Sequence, residues 1–372
     1  MDARTHPGPR RIALMNQKGG VGKTTTTVNI AAAIAELGAP VLLVDLDPQA
    51  HASLHLGVDD SSDATSVYDI LLDPAEILEA PVEVKPNLWL LRSETDLAAA
   101  ETELSQEADR YARLREALEA VEDRFKFVLL DCPPSLGLLT LNGLNAAREV
   151  LIPMQAQFLA LQGVGKLLET VQLVSQQLNP ELRVAGIVLC MFDGQTTHAQ
   201  EVVADLETYL ESQRETETPW RDAKLYQPPI RRNIKLAECP SFGQTIFEYA
   251  PWAPGAADYR RIAEALLAEH GGSIGERSAD DEHKYTPAGA VDDATGDQTP
   301  EATDDSGESV EAADRSPEPD AQPRPADADR ASDDAAPRDD DRQGHEDEVP
   351  TPQIRVMPAE HAARESDAER GA

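Results

Sequence analysis

The sequence predicts a doubly wound α/β fold with a mainly parallel sheet, on three observations. Short apolar runs recur that are hydrophobic on both faces, helical periodicity fills the intervals between them, and a glycine-rich loop joins the first run to the first helix. In chain order the strand-like runs are "RIALMN", "PVLLVD", "LWLLRS", "FKFVLLD", "EVLIPM" and "VAGIVLCMF". The helical segments are "TTTVNIAAAIAELG", which closes on Gly38, "ARLREALEAVEDR", "GVGKLLETVQLVSQQLNP", which Pro180 stops, "HAQEVVADLETYLES" and "AADYRRIAEALLAEHGG". Strands that alternate with helices in this way build parallel crossovers with helices on both sheet faces.

After "AEALLAEHGG" the composition changes. Residues 272–372 are Asp, Glu, Ala, Pro, Ser and Thr with few aliphatics. Such a segment buries too little apolar area to offset the entropy of ordering it, so a disordered acidic tail is expected there. The division is then an extension over 1–10, a folded domain over 11–271 and the tail over 272–372. The chain has 372 residues and a net charge of −35. From Gly271 to the end there are 29 acidic and 10 basic residues, against 39 and 23 before it, so both parts are acidic. Only 8 of the 33 basic residues are lysine, a pattern similar to proteins of salt-loving organisms, whose cytoplasm screens surface charge.

Cys132, Cys190 and Cys239 lie far apart with no C-x-x-C pair, which argues against a disulfide framework, a zinc cassette and an iron–sulfur cassette. His51 and His55 stand four residues apart, but "HASLH" lacks the glutamate of H-E-x-x-H, and both are expected to be solvated loop histidines. No apolar run approaches the roughly 18 residues of a membrane span, and "MDARTHPGPR" has no apolar signal region, so a soluble cytoplasmic chain is expected.

The loop "NQKGGVGKTTTT" sits between a strand and a helix, the context in which backbone amides and a helix N-terminus converge on phosphate oxygens. Lys23 is placed to neutralise the β- and γ-phosphates, and the Thr24 hydroxyl to ligate magnesium. The strict pattern G-x-x-x-x-G-K-[ST] fails, because Gln17 stands five residues before Gly22. A second lysine, Lys18, stands five residues before Lys23. "VLLVDLDPQA" puts Asp45 and Asp47 at the end of one strand, and "FKFVLLDCPPSLG" puts Asp131 at the end of another, the edge at which such sheets bind ligands.

"KGGVGKTT" resembles the deviant Walker A motif of the ParA/MinD group of P-loop ATPases. The wider string "MNQKGGVGKTTTTVNIA…VLLVDLDPQA…VLLDCPPSLGLLTLN" resembles the ParA/Soj partitioning branch over about residues 11 to 270. The resemblance implies a nucleotide loop of Lys18, Gly19, Gly20, Val21, Gly22, Lys23, Thr24 and Thr25, with ATP and Mg2+ as cofactors. It implies that Lys18 reaches the phosphates of a partner subunit's ATP, that Asp47 positions or activates the attacking water, and that Thr24, Asp45 and Asp131 surround the magnesium. "QPPIRRNIKLAECPSFGQTIFEY" is similar to a family segment that carries adenine contacts and part of a DNA surface. That likeness implies nucleotide contacts at Ile230, Arg232 and Asn233, and DNA contacts at Arg231, Arg232 and Lys235. Gln195 stands where the family has an arginine implicated in DNA contact, and Arg231 is expected to restore the charge.

The activity so implied is slow ATP hydrolysis that partitions a chromosome or plasmid. An ATP-dependent homodimer binds DNA without sequence preference, and a ParB-like centromere-binding partner stimulates its release, with no membrane involved and the protein at the nucleoid. The alternative within the same group is an ATPase that positions a protein cargo, or regulates, without strong DNA binding. A membrane-cycling ATPase of the MinD kind would need a C-terminal basic amphipathic helix, and an iron–sulfur carrier would need paired cysteines; the sequence offers neither.

Overall fold

A computed structural model of the chain describes residues 8–59, 64–157 and 160–271. The acidic tail expected over 272–372, and residues 1–7 of the expected extension, lie outside the described residues. Eight strands form one sheet: β1 (Arg10–Leu14), β2 (Val41–Asp45), β3 (Val82–Lys85), β4 (Leu88–Leu91), β5 (Phe127–Asp131), β6 (Glu149–Met154), β7 (Arg183–Leu189) and β8 (Lys224–Leu225). Their order is β3-β4-β2-β5-β1-β6-β7-β8, parallel throughout except for β3, which runs antiparallel to β4. The doubly wound fold expected from the sequence is the fold observed.

The strands are apolar on both faces because each face has its own core. Along β1, Ile12 and Leu14 enter one cluster while Ala13 and Met15 enter the other. The same alternation runs through Val41 to Val44 of β2 and Phe127 to Leu130 of β5. Full burial of each large aliphatic side chain here stabilises the fold by roughly 1.5–3 kcal/mol. Helix α1 (Lys23–Glu36) covers the first face together with the helix Pro254–Glu269. The alanines at 31, 32, 33 and 35 are all buried, so small side chains bring α1 close to its neighbours. The helices Ala160–Gln177 and Thr197–Ser212 cover the other face.

Three departures from the expected elements have physical causes. The edge strands β3 and β8 escape the apolar-run criterion, β8 because it has two residues and β3 because its sequence, "VEVK", carries the charge that edge strands tolerate. The helix expected over 112–124 ends at Glu119, and a 3₁₀ turn at Glu122–Arg124 follows, because Val121 is drawn into the core at 2% exposure. The helix Leu138–Ala146 is buried at all nine positions, so it has no polar face from which periodicity could be read.

Candidate functional site

The chemistry-bearing residues gather where β1, β2, β5, β6 and β7 end, on one edge of the sheet. Gly20 and Gly22 adopt φ of +70° and +93°, a region open to glycine at little cost, and Gly22 caps α1. The first intrahelical bond runs from Thr26 N to Gly22 O at 2.9 Å, so the amides of Lys23, Thr24 and Thr25 precede the helical ladder. Such amides, with the positive end of the helix dipole, form an anion site.

Asp131 closes the floor. It is 1% exposed, and its two carboxylate oxygens accept from the hydroxyls of Thr24 and Thr27, each at 2.7 Å. Lys23 is only 8% exposed, and burial lowers its pKa against the opposing pull of Asp131 and Asp47. Burial raises both Asp131 and Asp45, which pair in register across β5 and β2, and a neighbouring carboxylate adds to each rise: Asp131 for Asp45, and Asp47 for Asp131. The Thr24 hydroxyl and the Asp131 carboxylate thus set hard oxygen donors side by side, a donor set that suits magnesium. Among the described residues no three His, Cys, Asp or Glu side chains form a metal cage, and magnesium bound with nucleotide does not need one, since phosphates and water complete its shell.

The two aspartates after β2 differ. Asp45 is fully buried: its Oδ2 accepts from Ser53 N at 2.9 Å and Ser53 Oγ at 2.8 Å, and its Oδ1 from Asp47 N at 3.2 Å. Asp45 therefore secures the turn that carries Asp47. Asp47 is half-buried, and the one hydrogen bond its carboxylate makes among the described residues is from Gln49 N to Oδ1 at 3.0 Å. Its other oxygen is left for a ligand or water.

The two lysines also differ. Lys23 faces inward, whereas Lys18 is exposed and donates from Nζ to Gln157 Oε1 at 2.5 Å. The end of β7 lies beside the loop, with Cys190 Cβ 3.5 Å from where a Cβ on Gly22 would sit, and the 228–233 segment pairs with the residues that follow it, Phe192 bridging to Arg231. Ile230 departs from the expected nucleotide contact. It is 1% exposed, its N–H donates to Leu189 O and its carbonyl accepts from Phe192 N, so it offers a ligand no free group. Asn233 caps the helix Ile234–Glu238 through Lys235 N, and Arg232 makes no side-chain hydrogen bond or ion pair among the described residues.

Arg231 is not the free charge expected. Its Nε and Nη2 donate to the two carboxylate oxygens of Asp258 at 3.0 and 2.6 Å, and Asp258 is 2% exposed. Lys235 pairs with Glu238 at 2.8 Å. Both histidines lie on the helix His51–His55 and not in a loop; His51 is exposed as expected, but His55 is buried, 3.6 Å from Cys239 Sγ, and burial lowers its pKa to about 4. It is a neutral core residue. Sequence reasoning missed Ser53, Gln155, Gln157 and Asp258, because a clamp is visible only once distant segments meet.

An edge that presents helix amides, a buried lysine and paired magnesium donors to a polyphosphate makes this chain a P-loop nucleotide hydrolase. A family profile described as "AAA domain" matches residues 9–184. The sporulation initiation inhibitor protein Soj of Bacillus subtilis is 42% identical over 258 residues, spanning 69% of this chain and 98% of the relative. The chromosome-partitioning ATPase Soj of Thermus thermophilus is 47% identical over 260 residues, spanning 70% of this chain and 96% of its own. A solved structure of cobyrinic acid a,c-diamide synthase from Mycobacterium smegmatis, with bound ADP and magnesium, is 38% identical with a TM-score of 0.57, covering 70% of this chain and 94% of that one. The chain belongs to the ParA/Soj family of chromosome-partitioning ATPases. It is an ATPase, and its cofactors are ATP and Mg2+. No helix among the described residues is long and apolar enough to cross a membrane.

Proposed function

We propose that ATP closes a homodimer of this chain across the glycine-loop edge, that the dimer binds DNA without sequence preference, and that hydrolysis, stimulated by a ParB-like centromere-binding partner, releases it at the nucleoid. The contrast between the two lysines carries the reading. Lys23 is buried within electrostatic reach of Asp131 and Asp47 of its own chain, so it serves the nucleotide held in cis, while Lys18 stands on the surface where a second subunit's phosphates can reach it. In this reading the loop from Gly19 to Thr25 cradles the phosphates, Thr24 and Asp131 hold the magnesium, and Asp47 orients the water. Asp45 acts by holding Asp47, and Ile230 by holding Arg232 and Asn233 beside the base. ATP supplies a terminal phosphoryl group whose charge Lys23 and Lys18 balance from two sides.

Lys18→Ala tests it. Sedimentation is expected to give an ATP-bound monomer at concentrations where the parent dimerises, with ATP affinity lowered only modestly. Equal dimerisation with and without Lys18 would remove the trans role.

For DNA contact the proposal rests on Arg232, because Asp258 and Glu238 neutralise Arg231 and Lys235. Arg232→Glu is expected to weaken DNA retention by more than it weakens ATP-dependent dimerisation, with thermal stability unchanged. Arg231→Glu is expected to destabilise the fold instead, on the order of 2 kcal/mol by denaturant titration, since Asp258 would stay buried without its cation. Loss of a fully buried pair costs roughly 3–5 kcal/mol, and solvent around the half-exposed guanidinium reduces that. Weakened DNA binding by a fully stable Arg231→Glu protein would return Arg231 to the DNA surface. The second reading, an ATPase that positions a protein cargo, is favoured by the same pairing and by the exposed, uncharged Gln195.

A further inference from the structure

The loop leaving β6 is hydrogen-bonded to the opening of the nucleotide loop in a directed chain. Asn16 Nδ2 donates to Pro153 O at 2.8 Å and fixes the base of the contact. Beyond it, Lys18 Nζ donates to Gln157 Oε1 at 2.5 Å, Gln157 Nε2 to Gln155 Oε1 at 2.5 Å, and Gln155 Nε2 to Gly20 O at 3.0 Å. Every donor points the same way, from the Lys18 ammonium to the Gly20 carbonyl, so each amide polarises the next. Gln155 fixes which way the Gln157 amide faces: its NH2 is engaged, and its oxygen is turned to Lys18.

We infer that Gln157, oriented by Gln155, is a positioning residue that holds Lys18 on its own chain until the phosphates of a partner subunit's nucleotide compete for it. This rests on the reading that Lys18 acts in trans. A neutral amide is suited to such a hold. It accepts one hydrogen bond from the ammonium without an opposing charge, so a polyphosphate, which offers several charged oxygens, displaces it readily. A carboxylate at the same place would hold Lys18 by an ion pair and oppose its transfer. The chain also ends on Gly20, so the loop that cradles the phosphates and the lysine that leaves for the partner are tied to one segment.

The hold is tested first on the full-length, nucleotide-free protein, by the rate at which an amine-acylating reagent modifies Lys18. Lys126, exposed at the far end of β5 from Asp131, is the internal standard. Gln157→Ala is expected to raise the Lys18 rate about two- to fivefold and Gln157→Glu to lower it, in line with the small energies of exposed contacts. Gln155→Ala, which leaves Gln157 in place but unoriented, should give a smaller rise. A Lys18 rate unchanged in all three variants, with Lys126 constant, would overturn the inference.

The second measurement is ATP-dependent dimerisation. Gln157→Glu is expected to weaken it roughly fivefold, an effect that shrinks with added salt, while Gln157→Ala leaves it equal or tighter. Weaker dimerisation by Gln157→Ala would make Gln157 a contact across the dimer and overturn the hold. Failure of the trans reading is distinguishable: Lys18→Ala would then dimerise normally while the acylation pattern persisted.

Discussion

Lys23→Ala is expected to weaken ATP binding more than any other single change in the loop while the protein stays folded. Lys23 as a whole is 8% exposed, so part of its desolvation is met during folding and its charge is ready when phosphates arrive. Two charge-assisted bonds to phosphate oxygens are worth roughly 3–4 kcal/mol together, a loss in affinity on the order of a hundredfold to a thousandfold. Calorimetric titration reads this directly. Retained affinity within about tenfold of the parent would mean that the helix amides alone hold the nucleotide.

Asp47→Ala is expected to bind ATP as the parent does and to turn it over at least about a hundredfold more slowly, which leaves a long-lived ATP dimer. The fold should tolerate the change, because the Asp47 carboxylate accepts one turn hydrogen bond, from Gln49. Asp45 cannot serve in its place: its removal would strip the acceptor from Ser53 N, Ser53 Oγ and Asp47 N at once. Single-turnover phosphate release separates chemistry from product loss, and a normal rate in Asp47→Ala would transfer the water-orienting role elsewhere.

The layout of the sheet was legible in the sequence because both faces of its strands are buried. Apolar runs such as "VLLVD" and "FVLLD" admit few other structures. The nucleotide loop was legible because it is local: glycines, lysine and threonines act within one turn of chain. What the sequence concealed depends on contacts between distant segments. Asp258 sits in a helical pattern like any surface aspartate, yet it takes the charge of Arg231 from 27 residues away. Ser53 and Asp45 look like separate polar residues until β2 and the turn after it close on each other. His55 reads as a loop histidine, but the 239–242 turn buries it. Charge counted along a sequence is therefore a poor guide to charge available to DNA, and the exposed cation at Arg232 emerges only after pairing is known.

The most direct test of the account is DNA retention by the Asp47→Ala protein, measured with ATP and with ADP over a salt series that reaches about molar KCl, alongside its oligomeric state. The account predicts retention with ATP only, in step with the dimer, and its loss when Lys18→Ala is added. Equal retention with ADP, or a clean ATP dimer that ignores DNA at every salt concentration, would contradict it.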